Sequence, residues 1–245
     1  MNARKLSEAE IAQRTLKARQ RHLRIIDGKK NRPTDFFYRI TNPGQLAKVG
    51  ASYLEDFKNG IKSFAITSTN YKSAQQRTVL ALASYFDHLF DMKILIISDG
   101  LGQGVFEEIM EERTVKPLQL AKGKNLPVNQ FHHHFDLVDL GDLLRLTNEE
   151  TPSYDFELAM EQLLAQYDLV LWDPPIIDTA KNHSKLYNHI MGHFESLTII
   201  VSPSISKAKD LNEIRSYFTG MGVNVKGVLF DTPGEQKKPL GVAGG

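Results

Sequence analysis

An α/β fold, built on a doubly wound and mostly parallel sheet flanked by helices, is predicted by three features of this sequence. Short apolar runs recur along the chain, most of them are continuous rather than alternating, and a helix-length stretch separates several of them from the next. Continuous β-branched and aliphatic runs mark strands buried on both faces, which is the condition inside a parallel sheet covered by helices. Strands spaced by helices imply right-handed crossover units and an open sheet.

Taken in order, the runs fall at residues 63–68, 93–98, 135–140, 168–173, 197–202 and 225–230. The helical stretches fall at 74–90, 105–113, 156–166 and 207–221. A helix is also predicted at 45–58, ended by Asn59-Gly60. Ahead of it, Ser7-x-x-Glu10 has the form of a capping box, so a helix should start there and run towards Ile26. Asp27-Gly28 and Asn31-Arg32-Pro33 then break it.

Between Arg4 and Arg32 there are ten Lys or Arg against three acids, and the apolar positions Ile11, Leu16 and Leu23 are sparse. Such a segment reads as a solvated basic arm. Its functional alternative is a helix that docks on an acidic partner or an anionic membrane face. The chain therefore divides into a basic helical N-terminal extension (1–35), an α/β domain (36–231) and a flexible tail rich in Gly, Pro and Lys (232–245).

Composition narrows the function classes. With 245 residues, 41% of them hydrophobic, the chain can bury one sizeable core. A formal net charge of +1 supplies no global field for nucleic acid, and none is expected as a partner. The absence of cysteine excludes disulfides, thiolate metal sites and a cysteine nucleophile. No apolar run reaches the roughly 18 residues that span a bilayer, and the N-terminus is too charged for a signal peptide. A cytoplasmic, soluble protein is expected.

In open α/β sheets ligands bind outside the carboxyl ends of the strands. The first such end leads through Thr67-Ser68-Thr69-Asn70-Tyr71-Lys72-Ser73-Ala74-Gln75-Gln76-Arg77-Thr78 into a helix, which is the position of a phosphate loop. A working loop has the form G-x-x-x-x-G-K-S/T: glycines let backbone N–H groups wrap the phosphates, the lysine neutralises them and the hydroxyl holds Mg²⁺. No glycine occurs here between Gly60 and Gly100. The second strand ends in Ile97-Ser98-Asp99-Gly100, and the fourth in Leu171-Trp172-Asp173-Pro174-Pro175. Asp173 at that position can accept a Mg²⁺-bound water or orient an attacking group; its bland alternative is a turn residue before a proline pair.

The segment from Tyr167 to Pro175 resembles the Y-D-h-h-h-h-D-x-P-P segment of bacterial tyrosine kinases (BY-kinases), without the spacer residue. These are relatives of the ParA/MinD ATPases within the P-loop NTPases, and serve capsule and exopolysaccharide synthesis and export. Residues 93–101 are similar to the family's strand with the second acidic motif, and 197–230 to its closing strand–helix–strand. Residues 38–54 are similar to its linker and first helix. The resemblance spans about 36–231 and implies a P-loop NTPase-like fold. Counted against the family, the loop lysine falls on Gln75 or Gln76. A shifted register sets Lys72 as the extra ParA-like lysine, Arg77 as the phosphate lysine and Thr78 as the Mg²⁺ ligand beside Asp173. Arg is bulkier than Lys in a tight cradle. Ser98 and Gly100 stand where the D-x-D motif has its acids, with Asp99 between them. No tyrosine follows Tyr217, so the tyrosine-rich tail is missing, and the alternating Glu/Arg oligomerisation motif is not evident at 51–58.

Three functions follow as expectations. The first is a catalytically degenerate BY-kinase-like regulator or scaffold of polysaccharide assembly, partnered by an inner-membrane co-polymerase or another protein. It would sit in the cytoplasm, peripheral to the inner membrane, with self-association as an option and no cofactor expected. The second is a divergent tyrosine kinase or ParA/MinD-like ATPase that uses Arg77, Thr78 and Asp173 with ATP and Mg²⁺. The third is an interaction module unrelated to polysaccharide.

Other motifs are weaker. His132-His133-His134 enter a strand, so at most two share a face. His189 and His193 share a helical face, but no Glu occupies the H-E-x-x-H position. Trp172 reads as a core residue. Gly100-x-Gly102-x-Gly104 reads as a turn, since the third glycine is misplaced for a dinucleotide fingerprint.

Overall fold

The computed structural model describes residues 43–69, 72–110, 113–120, 124–131, 135–145, 152–201 and 207–230. The arm helix, His132-His133-His134 and the tail lie outside them. The first half forms α1 (Pro43–Lys58), β1 (Ser63–Ser68), α2 (Lys72–Phe90), β2 (Ile94–Ser98), α3 (Val105–Ile109), β3 (Thr114–Gln119), β4 (Asn125–Phe131) and β5 (Phe135–Asp139). The second half forms α4 (Leu140–Arg145), α5 (Pro152–Gln166), β6 (Leu169–Asp173), α6 (Ile177–Asn182), α7 (Ser184–Met191), β7 (Ser196–Val201), α8 (Ala208–Gly220) and β8 (Val225–Phe230).

The strands make one eight-stranded sheet in the order β3-β4-β5-β2-β6-β1-β7-β8. From β5 to β8 every pairing is parallel. The continuous apolar runs behave as their composition requires: β1, β2, β6 and β7 are buried at every residue. Asn59-Gly60 ends α1 as expected. Gly60 takes φ 98°, and Ile61 N reaches back to Asp56 O (3.1 Å) while Gly60 N bonds Phe57 O (3.0 Å), which satisfies the last carbonyls of the helix.

Two apolar layers sandwich the sheet. One lies under α1, α2 and α3 and is filled by Phe64, Ile66, Leu80, Phe86, Ile96 and Leu171 among others. The other lies under α5, α7 and α8 around Trp172, Leu163, Ile190 and Phe218. Because α2 follows β1 on the first face while α6 and α7 follow β6 on the second, the chain leaves these adjacent strands in opposite directions. That divergence opens a crevice at their carboxyl ends.

The expectation of a helix over 105–113 is corrected: α3 stops at Ile109 and the chain enters β3 at Thr114. Phe106 is the fully buried anchor of α3, and Glu111-Glu112-Arg113 offers no apolar residue that another turn would bury. The β3–β4 hairpin has no counterpart among the predicted strands, since Pro117 and Pro127 interrupt both arms and face each other across the ladder. Its pairing to β5 is antiparallel, which leaves β3 as a largely exposed edge.

Candidate functional site

Strand parity decides which polar side chains meet. Along β6, Leu169 and Leu171 join the layer under α2 while Val170 and Trp172 join the opposite one, so Asp173 points towards α2. The same alternation turns Ser98 at the end of β2 and Ser68 at the end of β1 to that side. Ser98 is the ladder partner of Asp173, and its hydroxyl donates to Asp173 Oδ2 at 2.5 Å. Trp172, one residue earlier, faces the other layer as a fully buried core residue whose Nε1 donates to Ser63 Oγ (2.8 Å).

Only residues 69–71 separate β1 from α2, so positions 72–78 are already helical. Side chains from this first stretch of helix meet the strand ends. Gln75 is fully buried. Its Nε2 donates to Asp173 Oδ1 (2.6 Å) and Pro174 O (2.7 Å), and its Oε1 accepts from Ser68 Oγ (3.1 Å). Lys72, in the first turn, places Nζ 2.9 Å from Asp173 Oδ1 and donates to Pro174 O (2.7 Å) and Asp173 O (3.3 Å). Both oxygens of Asp173, which is itself 0% exposed, are thus engaged by protein donors. Burial pushes the Asp173 carboxyl above the usual carboxylate range, while the Lys72 ammonium and the Ser98 and Gln75 hydrogen bonds pull it down.

Gln76, the next residue, turns to the loop after β2. Its Oε1 accepts from Val105 N (3.0 Å) at the start of α3, and its Nε2 donates to Gln103 O (3.2 Å). Gly104 has φ 61°, and a Cβ there would meet Gln76 Oε1 at 2.5 Å. The Gly100–Gly104 turn is therefore clasped to α2 by one amide. Thr78 lies a turn into α2 and donates to Ala74 O (2.8 Å), and Arg77 beside it is half-buried. Of the residues singled out in the sequence, Lys72 and Asp173 are brought into contact. Arg77 and Thr78 are placed further along the helix, and no contact of either with Asp173 is seen.

Asp99 falls on the opposite side. It takes a hydrogen bond from Tyr187 on α7, and burial raises its carboxyl, with Lys72 opposing and Asp139 adding to the rise. Asp139 itself accepts from Gly141 N (2.8 Å) and Asp142 N (3.3 Å), capping α4. Ser68, Gln75 and Ser98 are the site members that motif reading did not assign to Asp173. For Ser68 and Ser98 the signal available was the parity of the strand ends.

Among the described residues, His183, His189 and His193 do not converge. His183 and His189 are exposed, and His193 sits with Nε2 3.3 Å from Glu157 Oε1 and its ring 5.1 Å from Phe156. Among the described residues no group of His, Cys, Asp and Glu is placed to hold a metal ion. No helix among them is long and apolar enough to cross a membrane.

A parallel sheet with a helix rising directly from β1, an acidic end on the adjacent β6 and helices on both faces defines the P-loop NTPase-like class of α/β proteins. Within that class the chain has the fold of BY-kinase kinase domains. Its structural neighbours include the VpsO kinase domain (14% identity over 76% of this chain and 92% of that one, TM-score 0.54) and the chimerical protein CapA2B2 (14%, 71% and 77%, 0.52). The kinase domain of Escherichia coli tyrosine kinase ETK is also similar (20% identity, 69% and 67%, TM-score 0.49). At these identities the likeness is one of fold. No family model and no curated protein sequence matches the chain.

Proposed function

We propose that this chain is a catalytically degenerate BY-kinase-like protein that regulates or scaffolds capsule or exopolysaccharide synthesis and export. One observation carries the loss of catalysis: the Asp173 carboxylate is closed off by Lys72, Gln75 and Ser98, all from its own chain. A nucleotide site of this fold needs an acid free to take a metal-bound water, a lysine free to meet phosphate and a backbone loop that wraps it. Here the lysine is spent on the acid and on backbone carbonyls, and a helix with a buried glutamine stands in place of the loop. Thr78 gives its hydroxyl to Ala74 O. In this reading the residues do not fit ATP–Mg²⁺, and no phosphoryl-transfer step runs through them.

The polysaccharide role rests on the sequence resemblance around Tyr167–Pro175, and the partner it suggests is an inner-membrane co-polymerase. The likeness of fold to kinase domains favours one rival, an active divergent kinase or ATPase that uses Arg77, Thr78 and Asp173. Isothermal calorimetry of the full chain with ATP and Mg²⁺ separates the two, with Arg77→Ala and Asp173→Ala alongside. The degenerate reading expects no saturable binding in the micromolar range. Micromolar binding abolished by both substitutions would overturn it.

A further inference from the structure

Asn59-Gly60 is the one Asn-Gly pair in the sequence, and it stands where α1 ends. Both residues are exposed, and the Asn59 side chain makes no hydrogen bond among the described residues. Gly60 sits at φ 98° with nothing within 4 Å of an added Cβ. Its backbone is thus open on the side where any other residue carries a side chain. Asn125 and Asn224 are exposed too, but Leu126 and Val225 follow them and crowd the next backbone nitrogen.

We infer that Asn59 is a site of intramolecular deamidation and that its conversion loosens α1 from the sheet. The Gly60 nitrogen attacks Asn59 Cγ, the new N–C bond closes a five-membered succinimide, and the Cγ–Nδ2 bond breaks. Ammonia leaves, taking the proton of the Gly60 N–H. Water then opens the ring at either carbonyl, giving aspartate or isoaspartate, so solvent is the only co-reactant.

The fold sets the pace of the first step. Gly60 N donates to Phe57 O (3.0 Å) and Ile61 N to Asp56 O (3.1 Å), and the attack must release the first of these bonds. The last turn of a helix opens at far lower cost than the whole domain, so the reaction runs in the folded chain at a slowed rate.

The product bears on how α1 is held. Tyr53 Oη donates to Thr198 Oγ1 (2.6 Å) on β7, the Tyr53 ring lies 5.0 Å from Phe64, and Asp56 pairs with Lys226 on β8. A new carboxylate at position 59 opposes the negative end of the helix dipole and adds to Glu55 and Asp56, with Lys58 the one basic residue of the last turn. The isoaspartate form also inserts a carbon into the main chain, which displaces the two bonds that close the turn. The inference is independent of the Asp173 site.

The test keeps the full chain folded in mildly alkaline buffer and follows every asparagine by peptide mapping. The peptide holding Asn59 should gain about 1 Da and accept methyl groups from an isoaspartate methyltransferase. Its rate should exceed that of Asn125 and Asn224 about tenfold or more, because glycine alone leaves the attacking nitrogen uncrowded. Urea should speed Asn59 further by removing the turn, and Asn59→Gln should silence the signal. Asn59→Asp, which carries the charge of one product, should lower the thermal midpoint and speed amide exchange in the last turn of α1. Conversion of Asn59 only in urea overturns the inference, as does conversion led by another described asparagine. An Asn59→Asp chain that melts and exchanges like the wild type, with the aged isoaspartate form doing the same, overturns the loosening of α1.

Discussion

Gln75 Nε2 lies 2.6 Å from Asp173 Oδ1, so a neutral amide from the helix bridges the acid of β6 to the carbonyl of Pro174. With Lys72 on the same oxygen, the carboxylate is neutralised from within the chain. A buried carboxylate of this kind is tolerable only while its partners remain, because an uncompensated charge in the interior is far costlier than the pair is beneficial.

That asymmetry fixes the first prediction. Lys72→Met should destabilise the protein by about 2 kcal/mol, less than a fully buried pair would lose because Lys72 retains some exposure. Asp173→Asn in the same chain should recover much of the loss, since the leftover charge disappears. Urea unfolding of the two single variants and the double variant measures the coupling. Additive effects would show that the two side chains do not depend on each other.

The Gln76 clasp makes a second prediction. Gly104→Ala forces a Cβ against Gln76 Oε1 and onto a backbone at φ 61°, so a loss of about 1–3 kcal/mol is expected. Gln76→Ala combined with it removes the clash but not the backbone strain. The double variant should therefore lose less than the sum of the singles, read by the same unfolding curves.

Asp91 is the one non-glycine residue at positive φ among those described, at 54°, where it ends α2 with its N–H on Asp87 O (2.9 Å). Glycine is the residue this cap conformation favours. Asp91→Gly should raise stability by about 0.5–1 kcal/mol, net of the extra chain freedom glycine brings to the unfolded state. A lower midpoint in thermal melting would mean the Asp91 side chain stabilises the fold in another way.

Burial holds His193 below the ordinary imidazole value of 6.5, against the pull of Glu157. A histidine depressed in the fold takes its proton more readily when unfolded. The stability it contributes is therefore present above 6.5 and is lost as pH falls below it. His193→Gln has no such loss, so the stability gap between wild type and variant should narrow between about pH 7 and pH 5. A gap that stays constant across that range would count against a buried neutral His193.

The strands were legible in the sequence because burial on both faces leaves a one-dimensional trace: β1, β2, β6 and β7 are runs with no polar alternation to confuse them. The β3–β4 hairpin left no such trace. It lies at a solvent edge, where two prolines are tolerated and pairing to β5 supplies the stability that its own composition lacks. Asp173 was legible as the polar stop of an apolar strand. Gln75 and Ser98, which close on it, were not, because Ser98 comes from a separate strand and Gln75 from a helix, and neither carries a motif.

By itself the sequence determined a parallel α/β sheet, an acid at the end of its fourth run and a glycine-free turn after its first, since each of these is a local pattern of residue types. Tertiary structure alone decided what that acid meets. The ladder register sets Ser98 beside Asp173, the strand parity sends Asp99 away to Tyr187, and the early start of α2 brings Lys72 and Gln75 within hydrogen-bond reach. Side chains 98 positions apart in the chain are joined by the order of strands in the sheet, and no local pattern encodes that order.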